Sequence, residues 1–392
     1  MTATTMPRPG AAWLLVSLAA LAGCAGGGQP LPEPAPLPEI GQQTIEVERV
    51  WRRGTGDGGA SFQNGLVAAI DGRNVYTAHA DGLVSAHELE KGKRVWRVET
   101  ELALSAGPTV ADGRVFVGSR DGQLLSLSAE DGSELWRRPV SSEMLSAPTV
   151  AEGTVLVRTL DGHLSAFEIA DGARRWTVTH NVPTLTSRGT SSPVVADGTV
   201  FAGLDNGKVV AYDVTTGERV WEQTVAAPTG RSELERIADI DAGLLVAQNE
   251  IYAASIGGKT ASLSRTSGRI RWRRDIASRS GLTFRGGDVF LSDLDGSVWA
   301  LERTSGAALW EQDALAHRGL SAPAVHRGYV LVGDFEGYLH WLIPEDGTVV
   351  ARAHPVGDAI VRAPIVIGDR ILVLSAGGDV ALLETSFVQD EE

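Results

Sequence analysis

Apolar and polar positions alternate in short bursts along most of the chain, and each burst follows a turn. The bursts are DGLVSAHEL from Asp81, DGQLLSLSA from Asp121, DGHLSAFEI from Asp161, NGKVVAYDV from Asn206, GGKTASLSR from Gly257, DGSVWALER from Asp295, EGYLHWLIP from Glu336 and GGDVALLET from Gly377. Alternation that begins at an Asp-Gly or Gly-Gly pair predicts a strand entered through a tight hairpin. Measured at Gly82, Gly122, Gly162, Gly207, Gly258, Gly296, Gly337 and Gly378, the spacings are 40, 40, 45, 51, 38, 41 and 41. Such a series marks a tandem repeat.

A second tag, Gly-x-x-x-Trp, recurs between the first: Gly92 with Trp96, Gly132 with Trp136, Gly172 with Trp176, Gly217 with Trp221, Gly268 with Trp272 and Gly306 with Trp310. The copy from Gly347 to Ala351 lacks the aromatic. Segments such as SAPTVAEGTVLVR (Ser146 to Arg158) and SAPAVHRGYVLVG (Ser321 to Gly333) read as strand, Gly turn and strand. One period therefore holds four short strands. Four strands in roughly 40 to 45 residues are the pattern of a β-propeller blade. So small a sheet cannot bury both faces alone, and blades must stack around an axis. Trp is large enough to fill the space where neighbouring sheets diverge, so the Trp series is expected to be packing and not a ligand cage.

The expected fold is all-β: an eight-bladed β-propeller of four-stranded antiparallel blades over residues 45–387. After the last first-type tag the chain has no room for a Trp strand, whereas a spare one, IEVERVWRR (Ile45 to Arg53), precedes the first repeat. That strand is expected to close the ring beside Val380 to Glu384, leaving no open edge.

The amino-terminal segment has a different character. Ala11 to Ala22 is apolar and uncharged after Arg8, about half the ~20 residues that span a bilayer, and reads as the core of an export signal over residues 1–23. It ends in Leu21-Ala22-Gly23-Cys24, which resembles the lipobox of bacterial lipoproteins. That resemblance implies cleavage before Cys24 and acylation of its thiol. Ala25 in place of Asp implies sorting to the outer membrane, with the body facing the periplasm. Residues 24–44 are Gly-rich and then Pro-rich and are expected to form a flexible tether. Residues 388–392 are expected to form an acidic, solvated tail.

Composition narrows the function. With 35 basic against 49 acidic side chains the net charge is −14, and the mature chain, without Arg8, would carry 34 against 49, or −15. No positive field invites nucleic acid. A single Cys cannot form a disulfide within the chain. GTGDGG (Gly54 to Gly59) matches a dinucleotide glycine pattern, but no helix follows it. The Asp-Gly turns lack the further carboxylates a calcium cage needs. The eight His residues fall in different repeats without close ligand spacing, and no Gly-x-Ser-x-Gly elbow is present. No catalytic residue, cofactor or metal is expected.

The blade pattern resembles the repeats of pyrroloquinoline-quinone dehydrogenases. In that family a vicinal disulfide typically covers the cofactor and Glu, Asn and Asp hold calcium. This chain has no Cys pair and is shorter, so that enzyme class is the alternative reading; an envelope propeller for another ligand is a third.

Function is expected where the period breaks, because packing constrains strands and leaves connectors free. From Trp to the Pro of the next inner strand is 12 residues at Trp96 to Pro108 and at Trp136 to Pro148, but 17 at Trp176 to Pro193. After Trp221 the equivalent turn waits until Gly243, about 22 residues on. The two long connectors join consecutive blades and must emerge on one face. In the second, Ser232-x-x-Glu235 is a capping box that predicts a turn or two of helix with Leu234 and Ile237 on one side. Asp239 and Asp241 bracket Ile240, and on extended backbone both carboxylates point the same way. Arg188, on the first connector, is their expected counter-charge. Two compatible readings follow, a loop-stabilising ion pair and a docking patch for another protein.

LTSRG (Leu185 to Gly189), SELERIADID (Ser232 to Asp241) and HRGLSAPAVHRGYVLVGDFEGYLHWLIPEDG (His317 to Gly347) resemble the BamB family of outer-membrane protein assembly factors. The resemblance runs from the lipobox through all eight repeats. It implies a non-catalytic lipoprotein scaffold that binds the periplasmic domains of BamA within the BAM complex and promotes folding and insertion of outer-membrane proteins, with direct contact to unfolded clients a physical option. By position it implies Leu185, Arg188, Asp239 and Asp241 as BamA-binding residues. The family usually has a second Leu just before the Arg; here that position is Ser187.

Overall fold

The computed structural model describes residues 1–2, 32–41, 43–56, 59–61, 64–189 and 191–388. Cys24, nearly all of the segment read as an export signal, and residues 389–392 of the expected acidic tail lie outside the described residues. Residues 1–33 form a unit separate from Pro34–Glu392, which holds the repeats.

The repeats fold as eight antiparallel blades, numbered here in chain order: blade 1 (68–99), blade 2 (104–139), blade 3 (149–179), blade 4 (194–224), blade 5 (245–274), blade 6 (282–312), blade 7 (324–353) and blade 8 (365–387 with 45–54). Each has four strands in meander order from the axis outward, and blade 2 gains a two-residue parallel addition, Gly65–Leu66, beside its inner strand. In blade 4 the strands are Val194–Ala196, Thr199–Gly203, Lys208–Asp213 and Arg219–Thr224. Because the strands alternate in direction, the turn between second and third strands and the connector to the next blade share one face of the ring, termed the connector face.

Ring closure follows the sequence expectation. Ile45–Gly54 pairs antiparallel with Asp379–Phe387, from Ile45 opposite Phe387 to Gly54 opposite Asp379, with one bulge between Arg49 and Trp51. The first and last strands of the ring thus share a blade, and neither leaves that sheet open.

Burial departs from the simple alternation of the sequence. The third strand of blade 4, KVVAYD, is buried at four consecutive positions, and so is the second strand from Val200 to Gly203. Neighbouring blades cover both faces of these strands, so polar members of the pattern such as Ser126 and Ser262 are buried too. In blade 4 the outer strand is the most exposed of the four.

The outer-strand Trp residues lock blade to blade. Each indole N–H donates to a carbonyl at the end of the next blade's third strand: Trp51 to Leu89 (2.8 Å), Trp96 to Ala129 (2.9 Å), Trp136 to Ile169 (3.1 Å), Trp176 to Val214 (3.0 Å), Trp221 to Arg265 (3.0 Å), Trp272 to Arg303 (2.8 Å) and Trp310 to Pro344 (2.8 Å). The ring then lies on the Gly of the next Gly-x-x-x-Trp turn. At Gly217, φ is +71° and a Cβ would sit 2.7 Å from Trp176. Gly therefore answers two demands there, left-handed backbone and room for an indole.

The missing aromatic at Ala351 has a structural reason. A Trp there would need the third-to-fourth turn of blade 8, but the fourth strand of blade 8 comes from the start of the folded unit, so that turn does not exist. Large and small residues exchange places instead. Trp341 on the third strand stands opposite Ala351, where blade 4 has Ala211 opposite Trp221. Trp341 and Ile45 are buried in one cluster with Ala351.

Candidate functional site

The two long connectors meet over blades 3, 4 and 5. The first leaves the outer strand Arg174–Thr179 and reaches Val194; the second leaves Arg219–Thr224 and reaches Leu245. The second divides in two. Its outer lobe carries a short 3-10 helix, Leu234–Arg236, closed by the expected capping box: Glu235 N–H donates to Ser232 Oγ (3.3 Å) and Ser232 N–H to Glu235 Oε2 (3.2 Å). Its returning arm, Ala238–Ala242, is largely buried. Ile240 is wholly buried against blade 4, its N–H donating to Leu204 O (3.1 Å), while Asp239 O accepts from Ile256 of blade 5 (3.0 Å).

That arm aims Asp239 and Asp241 at the first connector. Asp239 Oδ2 accepts from Ser187 N–H (2.6 Å) and from Ser187 Oγ (2.9 Å), and Ser187 Oγ also contacts Asp241 Oδ2. The alternating pair does point one way, as expected. The partner differs: Arg188 is not their counter-charge. Arg188 Nη2 pairs with Glu143 Oε2 at 2.8 Å, on the connector between blades 2 and 3, and Glu143 has Arg120 on its other side at 3.8 Å. Ser187 lies between the aspartates and Arg188, so the arginine turns outward while the serine turns in. Gly189 allows this approach, because a Cβ there would lie 2.5 Å from the Asp241 carboxyl carbon.

Beneath the pair lies a buried cation. Arg158, at the end of the second strand of blade 3, donates to Gly203 O (2.5 Å) and pairs with Asp205 at 3.1 Å, both side chains almost fully buried. One guanidinium thus serves three carboxylates. Burial first, then repulsion from Asp239 and Asp205, pushes Asp241 up to about 7; burial likewise raises Asp239. Hydrogen counting agrees. A hydroxyl has one proton to give, so Ser187 Oγ cannot donate to two ionised carboxylates. With Asp241 protonated, Asp241 donates to Ser187 Oγ and Ser187 donates to Asp239.

The outward side of this assembly is Leu185–Arg188. The Arg188 side chain is 64% exposed although ion-paired, and its φ of +56° is a left-handed conformation that costs a non-Gly residue about 1–2 kcal/mol. Leu185 is 39% exposed, high for a large aliphatic side chain. Asp239 is wholly buried and Asp241 partly so, and they support this surface from beneath. The sequence singled out Leu185, Arg188, Asp239 and Asp241, and the fold brings all four into one place. Sequence reading missed Glu143, Arg158 and Asp205. Arg158 had a signal: it stands where the parallel segment SAPAVHRGYVLVG carries Gly333.

The inner strands surround an axial cavity of about 420 Å³ bordered by Ser146, Ser191, Asp241 and Arg362. Arg362 is half-buried and donates to Ser61 O (2.9 Å) and Asn64 O. Among the described residues, no three His, Cys, Asp or Glu side chains are grouped to hold a metal ion.

Comparison with known proteins places the chain. The family described as "Outer membrane protein assembly factor BamB" matches residues 80–312 and 294–386. A protein of that name from Pseudomonas aeruginosa is 40% identical over 93% of this chain and 96% of its own length. The crystal structure of BamB from Moraxella catarrhalis superposes with a TM-score of 0.80 at 29% identity, covering 86% of this chain and all of that one. A quinohemoprotein alcohol dehydrogenase from Comamonas testosteroni also superposes, with a TM-score of 0.70 over 86% of this chain and 76% of its own, but at 16% identity this speaks for the propeller fold alone. With a family match across most of the ring and 40% identity nearly end to end, the chain belongs to the BamB family of outer membrane protein assembly factors.

Proposed function

We propose that this chain is a non-catalytic scaffold of the outer-membrane β-barrel assembly machinery, anchored through lipidated Cys24 and gripping the periplasmic domains of BamA with its two long connectors. Leu185 and Arg188 make the contact; Asp239 and Asp241 set its shape through Ser187. Holding BamA in one arrangement promotes folding and insertion of outer-membrane proteins, and requires no chemistry from the propeller.

The observation that carries this reading is the outward, left-handed Arg188 beside exposed Leu185, held from below by a buried polar network. A strained conformation so well supported points to use of the side chain it displays. Ser187 replaces the family's usual Leu. The apolar contact area is smaller for it, and the hydroxyl becomes the link between the two aspartates.

Co-purification from membranes tests the assignment. Arg188→Ala should recover several-fold less BamA, by loss of a contact side chain. Asp239→Ala should do the same by releasing the connector, with the far-ultraviolet spectrum of a β-propeller retained in both. Unchanged recovery from both variants would contradict this face as the docking site.

A further inference from the structure

Residues 24–44 read as a flexible leash, yet the described part from Pro34 is attached to the ring. Ala35 N–H donates to Ala316 O (2.9 Å) and Ala35 O accepts from Arg318 Nη1 (3.0 Å). Pro38 O accepts from Arg352 Nη1 (3.1 Å), and Thr44 N–H reaches Val350 O (3.5 Å). Both guanidiniums are themselves fixed. Arg318 is buried against Asp334 at 2.8 Å and lies over Phe335, and Arg352 lies over Tyr338. Cationic donors on backbone carbonyls make strong hydrogen bonds. A Pro-rich segment, already extended, loses little entropy on docking.

The path has a direction. Ala316 and Arg318 belong to the connector between blades 6 and 7 and so lie on the connector face. Val350 is near the start of the outer strand Val349–Ala353, at the opposite face. The segment therefore descends along the outer edge of blade 7 from the connector face to the far face, where Ile45 begins the closing strand. It covers a strand edge, on the blade whose outer strand has no Trp.

We infer that Pro34–Gly41 is a fixed strut, and that it sends the anchor off from the connector face, so that this face, with Leu185 and Arg188, is held toward the bilayer. This rests on the lipid-anchor reading of Cys24. Only the ten peptide steps from Cys24 to Pro34 remain as leash, which span at most about 35 Å. The docking partner is then met on the membrane side of the ring.

The test uses the full lipidated chain in vesicles of phosphatidylethanolamine and phosphatidylglycerol with an acceptor dye on the headgroups. With Cys24 acylated, an introduced Cys is the only reactive thiol. Donor dyes are placed at Asp295→Cys, in the second-to-third-strand turn of blade 6 on the connector face, or at Glu345→Cys, in the third-to-fourth-strand turn of blade 7 on the other face. The inference expects at least twofold greater energy transfer from position 295. It also expects that difference to shrink when Ala35→Pro and Arg352→Ala remove the bonds to Ala316 O and Pro38 O without touching buried Arg318. Equal transfer from the two positions in the parent, or greater transfer from 345, overturns the inference. Amide exchange supplies a reading independent of lipid: Ala35 should exchange at least tenfold more slowly than Glu33, and equal rates overturn the strut. A chain that fails to float with the vesicles while Ala35 remains protected would instead refute the anchor, and with it the orientation.

Discussion

Ser187 holds the most consequential contacts in the molecule. It joins the first long connector to Asp239 and Asp241 on the second, and removing its hydroxyl leaves Asp239 the Ser187 backbone N–H alone and takes from Asp241 its contact with the serine. Ser187→Ala should lower stability by about 1–3 kcal/mol, the cost of a buried group left without its partner, measurable by denaturant unfolding. Titration of Asp241 supplies a second prediction. Its folded pKa of about 7 lies above the ordinary aspartate value of 3.8, so between those values the native state keeps a proton that the unfolded chain has released. Stability is then greatest below the unfolded value and falls as pH rises through the folded one. The thermal midpoint should decline from pH 5 to pH 8. Asp241→Asn, whose amide imitates the protonated acid, should flatten that decline. Sequence spacing correctly set both carboxylates on one side of Ile240. It could not show that Glu143, 45 residues before Arg188, claims the arginine, because that pairing depends on how connectors from different blades converge. Nor could composition reveal that Arg158 is buried, since Arg is ordinarily a surface residue.

Among the elements, the outer strands show how a repeat and its exception obey one rule. A Trp on one blade packs over a Gly turn on the next, and where the next blade lacks that turn the Trp is absent. Trp341 takes over the volume from the third strand. It is wholly buried, so Trp341→Ala should destabilise by about 3–5 kcal/mol. At an ordinary junction, Gly217→Ala should cost at least about 2 kcal/mol, because the substituent meets both a positive φ and the Trp176 ring. Both are checked by urea unfolding of the soluble ring. Blade number, strand count and hairpins were legible because spacing and turn chemistry repeat. The strut was not. A Pro-rich stretch has no hydrophobic period from which a docked path could be read, and its partners Arg318 and Arg352 lie some 300 residues away in the chain.

For the molecule as a whole, ring closure and docking are connected problems. The strand Ile45–Gly54 closes blade 8, and the segment before it runs back over blade 7, so one stretch of chain both seals the ring and sets where the leash departs. Deleting residues 45–54 should expose the edge of Asp379–Phe387, remove the Trp51 lock on blade 1 and abolish a single cooperative thermal transition. A sealed ring gives the connectors a rigid base, and a partner can then be held by loops at low cost in ordering. The claim on which the rest depends is that the convergence of the two long connectors is where BamA sits. Photo-crosslinking in intact cells tests it most directly, with a photoreactive residue placed in turn at Leu185, at Arg188 and at Asp358 on the short connector between blades 7 and 8. BamA adducts are expected at 185 and 188 and none at 358. Adducts at 358 alone, with none at 185 or 188, would contradict it.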